Sequence, residues 1–332
     1  MKEQIIAAFD HTLQAELAKR FGTSRESLTP LGDFENFVFS FPSHGTDRIL
    51  RVSHHSHRNH DQILAELQWV NFLANNGVAV CRAVESEKGR LVEPVSEGRD
   101  RFYSVAFEKA PGEKVGNDDW GPSLIWAIGE IIGRIHHLTQ HYQPPAPKRF
   151  HWHDDPHMLN FEMALPATLA DQAARLMDSF QSLPIQPDSY GLIHTDVHAG
   201  NFHWHQNQLY LFDTDDCCYH YFLFDIVHAL YYGLWRPVPA EERPGYAITF
   251  MRHFWEGYFQ HHYIDAGLVD RFPDIMRLRD LQILTALKTS EGGIRPQLVQ
   301  FMNKLEQRLL QGIPFVDLNP DDIRPDIAGS TN

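Results

Sequence analysis

The residues best suited to chemistry lie between Tyr190 and Trp235. There His194-x-Asp196 is followed by Asn201, and Asp213 closes the run Gln208–Phe212. The stretch Phe202–Phe212 reads as a hairpin with Gln206-Asn207 at its turn, so Asn201 and Asp213, which flank it, return to one place. Asp196, Asn201 and Asp213 then converge with no long-range assumption. An amide carbonyl and a carboxylate are hard ligands suited to Mg²⁺ on phosphates, and a separate carboxylate can take the proton of an attacking hydroxyl. That is the chemistry of phosphoryl transfer. Two other readings use the same residues. A hydrogen-bonded turn without catalysis needs the same residue types. A metal-dependent hydrolase would draw on His194, Asp196 and His198, with His203 and His205 close behind.

The elements that must hold these residues fall into two groups. Residues 2–20 have the pattern of one amphipathic helix, broken at Thr29-Pro30-Leu31-Gly32. From Phe34 to Phe41 the aromatics Phe37, Phe39 and Phe41 alternate on one face of a strand, and Asp47–Ser53 reads as its partner across a Pro42–Thr46 turn. A helix carrying Ile63, Leu67 and Val70 ends at Asn75-Asn76-Gly77. Strands at Arg90–Val95 and Arg101–Phe107 follow, joined by Ser96–Asp100. After Pro111-Gly112 helical periodicity takes over, at Ser123–Leu138, 161–181, 244–264, 278–290 and 295–311, with one strand region at 190–213. The expected class is α+β, with a small antiparallel sheet and one helix over residues 1–107 and a mainly helical part over 108–332. The run His54, His55, His57 and His60 reads as a solvated loop before a helix, and the tail beyond Pro314 as frayed.

Composition narrows the function classes. The chain of 332 residues is 43% hydrophobic and 12% aromatic, enough to bury a core and to exclude a disordered chain. A formal net charge of −14 argues against a nucleic-acid partner, which would call for a basic face. No signal-peptide core follows the N-terminal residues, and the most apolar stretch, Tyr221–Trp235, is interrupted by Asp225 and His228, so no membrane association is expected. Cys81, Cys217 and Cys218 form no paired framework, which fits a reducing, cytoplasmic setting.

The motif HTDVHAGN, followed by LYLFDTDD and FLFDIVHAL, resembles the aminoglycoside phosphotransferase–choline kinase-like group, with its protein-kinase-like fold. The likeness extends to Leu31-Gly32-x₃-Asn36-x-Val38-Phe39 as a nucleotide-loop strand and to Ile49–Val52 as the strand bearing the phosphate-binding cation. Carried over residue by residue, it implies Asp196 as base and Asn201 and Asp213 as Mg²⁺ ligands. Arg51 then meets the nucleotide, Glu66 is its ion-pair partner, and Phe107, Glu108 and Ala110 form the adenine-contacting hinge. His194, His198 and Asp225 support the loop. Two departures stand out: position 51 is Arg where the family has Lys, and Gly32 is alone where two glycines are usual, with Asp33 and Glu35 beside it.

The resemblance implies an ATP- or GTP-using, Mg²⁺-dependent transfer of the γ-phosphate to a small-molecule hydroxyl, with an amino sugar or amino alcohol as a candidate acceptor. A protein Ser/Thr kinase and an inactive scaffold of the same fold remain as alternatives. Asp154, Asp155, Asp215, Asp216, Glu241 and Glu242 are candidates for an acidic acceptor pocket, and Trp152, Trp235 and Trp255 for stacking. Neither the oligomeric state nor the acceptor follows from the sequence.

Overall fold

The computed structural model describes the chain except residues 1–2, 34, 44, 98–99, 117–118, 236–237, 291–293, 295 and 326–332. Phe34 of the expected strand and His44 and residues 98–99 of the expected turns lie outside the described residues. The chain divides into two compact units, one of residues 1–111, 142–149 and 210–215, the other of 112–141, 150–209 and 216–332.

The first unit begins with α1 (Glu3–Ala8) and α2 (His11–Arg20). The sequence predicts one helix here; Asp10 instead caps a second, its carboxylate accepting from Leu13 N at 2.9 Å. Six strands follow: β1 (Thr29–Gly32), β2 (Phe37–Ser43), β3 (Thr46–His54) and, after α3 (His60–Asn75), β4 (Ala83–Val84), β5 (Glu93–Glu97) and β6 (Asp100–Glu108). They form one antiparallel sheet in the order β1-β2-β3-β6-β4, with β5 also on β6. Thr29–Gly32, read as a helix break with Leu31-Gly32 in the nucleotide-loop strand, is thus an edge strand of its own.

The period-2 rule shows in β6. Phe102 and Ala106 face Phe9, between α1 and α2, and Leu13 and Leu17 of α2, whereas Tyr103 and Val105 face Ile63 and Leu67 of α3. Both faces of the sheet are therefore covered. Helix α3 starts at a capping box between Asn59 and Gln62, which fixes where its buried stripe, including Glu66, meets the sheet. Two later segments belong to this unit. Leu211 N donates to Ala79 O at 2.9 Å and Leu211 O accepts from Cys81 N at 3.1 Å, while Arg149 Nη1 donates to Gln62 O at 3.0 Å.

The second unit contains β7 (Glu113–Lys114), α4 (Pro122–Thr139), α5 (Pro156–Leu159), α6 (Phe161–Ala164), α7 (Ala167–Gln181) and β8 (Tyr190–Ile193). Then come β9 (Phe202–His205), β10 (Gln208–Leu211, where the chain passes to the first unit), β11 (Cys218–Tyr221) and α8 (Phe222–Leu234). Helices α9 (Arg243–Tyr258), α10 (Phe272–Lys288), α11 (Pro296–Leu310) and α12 (Pro320–Ile323) complete it. The helix expected over 161–181 is split where Pro166 interrupts it. The segment beyond Pro314 is not wholly frayed: Asn319 caps α12 and Ile323 is buried. Helices α4 and α9 approach through glycines; a Cβ on Gly129 would stand 2.1 Å from Phe254 O, and one on Gly257 2.0 Å from Trp126 O. Strand β11 pairs antiparallel with β8, Cys218 opposite Ile193 and Tyr221 opposite Tyr190, which brings the start of α8 beside the start of β8. Among the described residues no helix is long and apolar enough to cross a membrane.

Candidate active site

In the second unit, β8 ends at Ile193 and the chain turns sharply. Thr195 sits at φ 70°, a conformation costly for a β-branched residue. Three hydrogen bonds hold it there. Its N–H donates to Asp225 Oδ1 at 2.7 Å, its hydroxyl to Asp216 O at 3.0 Å, and its carbonyl accepts from His228 Nδ1 at 2.7 Å. Asp225 Oδ2 also accepts from His194 N at 3.0 Å and lies 3.4 Å from His136 Nε2. Burial pushes the Asp225 carboxyl up, but His136 and His194 outweigh it and leave the group below the usual carboxylate range. The first turn of α8 thus presents a buried carboxylate that ties down the loop before Asp196.

The turn directs Asp196 into a fixed set of partners. Its N–H donates to His194 Nδ1 at 3.3 Å. Its Oδ2 receives His198 Nε2 and Asn201 Nδ2, each at 3.1 Å, and its Oδ1 receives Arg279 Nη2 at 2.8 Å. His198 Nδ1 accepts from Gly200 N at 2.9 Å, so the ring proton sits on Nε2 and donates to Asp196. Burial opposes ionisation of Asp196, but the His198 hydrogen bond and the Arg279 guanidinium hold its carboxyl well below the usual range. The group is a carboxylate at neutral pH and keeps 22% of its side chain accessible.

Asn201 Nδ2 is spent on Asp196, on its carbonyl at 3.0 Å as well as on its carboxylate. That leaves Oδ1 as the atom for a cation, a hard oxygen of the kind Mg²⁺ and Ca²⁺ take. Gln206 and Asn207 sit at φ 50° and 61°, the two-residue hairpin turn expected from the sequence.

In the first unit, Arg51 on β3 and Glu66 on α3 form a bidentate pair, Nη1 to Oε1 at 2.9 Å and Nη2 to Oε2 at 2.6 Å. Both side chains are buried, and Arg51 also lies 5.2 Å over the Phe107 ring. Burial disfavours the guanidinium charge, yet Glu66, Asp215 and Asp213 together raise its pKa. Thr214 hydroxyl donates to Glu66 Oε1 at 2.7 Å, tethering the Asp213 segment to the same pair. Asp213 itself occupies φ 62°, a second strained position. Phe107 and Glu108 end β6, where Glu108 N donates to Arg82 O, and Ala110 is buried just beyond.

Several residues here escape sequence reasoning. Asp215 was expected on an acidic acceptor pocket; it is instead buried in the first unit. It takes Asn36 Nδ2 at 3.1 Å and His57 Nε2 at 2.6 Å on Oδ2, with Arg58 at 3.6 Å. Its backbone carbonyl receives Arg149 at 2.5 Å. Ser53 hydroxyl donates to Asn36 Oδ1 at 2.6 Å, so the segment before β2 is pinned to β3. The His54–His60 run is solvated only in part: His55 is exposed in the turn before α3, whereas His54 is buried on β3 and the carboxylate of Asp215 raises the pKa of His57 against the effect of burial. Trp152 and Trp255 belong to the core, while Trp235 stays 43% exposed. The two places among the described residues where three His or carboxylate ligand atoms converge are His54–His55–Asp100 and Glu35–His57–Asp215. Neither includes His194, His198, His203 or His205, which removes the geometric basis for the hydrolase reading.

The phosphotransferase enzyme family matches residues 27–260 of the chain. The amicoumacin kinase of Bacillus subtilis (strain 168) is 36% identical over 276 residues, spanning 81% of this chain and 82% of that protein. A solved amicoumacin kinase in complex with AMP-PNP, Ca²⁺ and Ami superposes with a TM-score of 0.91 at 30% identity, covering 97% of this chain and all of the other. A microcompartment-associated aminopropanol kinase, at 22% identity and a TM-score of 0.72 over 95% of this chain and 99% of that one, shares the fold. The α+β, protein-kinase-like class expected from the sequence is the one found.

Proposed function

This chain belongs to the phosphotransferase enzyme family, and on that premise we propose how its own residues perform the transfer. The protein is an ATP-dependent phosphotransferase acting on a hydroxyl of a small molecule. Asp196 orients that hydroxyl and accepts its proton as the oxygen bonds to the γ-phosphorus and ADP departs. Asn201 and Asp213 hold a divalent cation, which we take to be Mg²⁺; the AMP-PNP and Ca²⁺ of the solved relative support a nucleotide and a divalent ion. When bound, such an ion neutralises charge on the phosphates. Arg51 faces the phosphates with Glu66 fixing its guanidinium, and Phe107, Glu108 and Ala110 take the adenine. His194, His198 and Asp225 keep Asp196 in place. Cys81, Cys217 and Cys218 are buried thiols, which fits a reducing compartment, and we assign the protein to the cytoplasm.

The observation that carries this reading is Asp196, an ionised carboxylate fixed on both oxygens and still partly accessible. The test combines binding and turnover. Mg²⁺ with ATP raises the melting temperature of the wild type, and Asp213→Ala loses the Mg²⁺-dependent part of that shift. Asp196→Asn keeps the shift but loses about 10² to 10⁴ in turnover of amicoumacin or aminopropanol. Full turnover in Asp196→Asn would refute the assignment of the base.

A further inference from the structure

The His54–His60 run, which the transfer itself does not use, lies in the first unit beside the loop between β1 and β2. His57 N donates to His54 O at 2.9 Å and Arg58 Nη1 to His57 O at 3.2 Å, so the turn that carries His57 is fixed from both sides. His57 Nε2 meets Asp215 Oδ2 at 2.6 Å. One ligand atom each of Glu35, His57 and Asp215 lies within 4.8 Å of the other two, which sets the imidazole beside a buried carboxylate and an exposed one on the loop. The residue after Glu35 keeps it there. Asn36 is buried, donates to Asp215 Oδ2 at 3.1 Å and accepts from the Ser53 hydroxyl at 2.6 Å.

The charges around this point show what His57 adds. Arg51 is taken up by its bidentate pair with Glu66, and Arg58, 3.6 Å from Asp215 Oδ1, offsets the Asp215 carboxylate. The imidazolium of His57 then remains to meet Glu35. Burial and Arg58 lower the His57 pKa, but Asp215 and Glu35 outweigh them and raise it above its ordinary value. Glu35 follows Gly32 in the segment that reads from the sequence as the nucleotide loop. A carboxylate at that place repels phosphates unless a cation holds it.

We propose that His57 is a positioning residue of the nucleotide site, its imidazolium holding the Glu35 carboxylate toward Asp215 and off the phosphates of ATP. The inference rests on the reading of this unit as the nucleotide site. His57 acts through Glu35 and touches no reacting atom, so its loss weakens nucleotide binding and leaves the partners of Asp196 as they are.

The test measures Mg²⁺–ATP affinity of the full chain by isothermal titration calorimetry at neutral pH. It uses a cycle of His57→Gln, Glu35→Gln and the double variant, each checked first by its melting temperature without nucleotide. His57→Gln keeps a donor for Asp215 and drops the charge, and is expected to weaken binding about tenfold. Adding Glu35→Gln is expected to recover that loss to within about threefold of wild type, which a role of His57 in folding alone would not allow. In the wild-type background Glu35→Gln should tighten binding by less than about threefold, an arm that needs no His57 variant to fold. The proposal is overturned if His57→Gln binds within about twofold of wild type, if the double variant stays as weak as His57→Gln, or if Glu35→Gln alone gains about tenfold. The nucleotide reading is judged on the wild type. ATP bound there with a silent His57→Gln removes the His57 assignment alone, whereas no binding removes both.

Discussion

Asp225 gives the sharpest quantitative expectation. Its carboxylate, 1% exposed, accepts from the backbone N–H groups of His194 and Thr195 at 3.0 and 2.7 Å and contacts His136. Hydrogen bonds to a charged group contribute about 1.5–3 kcal/mol each, and a buried donor left unsatisfied costs about 1–3 kcal/mol. Asp225→Ala strands both N–H groups next to a β-branched residue held at φ 70°, so the loss of stability should be roughly 3–5 kcal/mol. Asp225→Asn keeps one acceptor oxygen and turns an NH₂ toward the second N–H, for a loss of about 2–3 kcal/mol. The effect on catalysis is separable. If the loop relaxes by about 1 Å, turnover should fall by roughly 10²-fold while the KM for ATP changes little.

Urea unfolding followed by tryptophan fluorescence gives the stability term, and steady-state rates at saturating ATP give the other. Two results count against the argument. A stability change within about 0.5 kcal/mol for Asp225→Ala would mean the two N–H bonds are not what holds the turn. A normal turnover number in Asp225→Asn, alongside the expected destabilisation, would mean that the strained turn does not position Asp196.

Two further expectations concern the second unit. Burial, with Arg279 nearby, pushes His228 down to about 3, and burial, with His136 nearby, pushes His262 down to about 4. The folded pKa values lie below the unfolded value, so this stability is complete above about pH 6.5 and is lost as pH falls toward the folded values. The loss should be about 2.5 kcal/mol per histidine at pH 4.5. Urea midpoints across pH 7 to 4.5 should show a smaller slope in His228→Asn, whose amide can still donate to Thr195 O; an unchanged slope would remove His228 from the account. Gly129→Ala should destabilise by about 1–3 kcal/mol despite the better helix propensity of Ala, because the new Cβ stands 2.1 Å from Phe254 O. A higher melting temperature in Gly129→Ala would show that α4 and α9 can separate at low cost.

What could be read from the sequence follows physical range. The Gln206-Asn207 turn depends on two adjacent residues able to take positive φ. The Arg51–Glu66 pair joins a strand to the helix that follows it, so a period-2 run and a helical stripe suffice to bring the two side chains together. The Asp196 loop is equally local, since His194, His198, Asn201 and the first turn of α8 lie close in sequence. The N-terminal helices show the limit of such reasoning. Their apolar stripe announces a buried face, but only the side-chain alternation of β6 tells which surface it covers.

The residues that escaped notice are charges whose partners are distant in sequence. Asp215 lies 158 positions from His57 and 179 from Asn36, and Arg279 lies 83 positions from Asp196. In a chain of net charge −14, carboxylates outnumber cations, so an unassigned Asp invites an acidic pocket and an unassigned Arg invites no site at all. The fold reverses that weighting locally. Asp215 is consumed by Arg58, Arg51 and His57 in the first unit, whereas Arg279 is delivered to Asp196 in the second. Sites depend on where charge remains uncompensated, and net composition carries no information about that. The Oδ1 side of Asp196 therefore carries a guanidinium where a count of acidic residues places carboxylates.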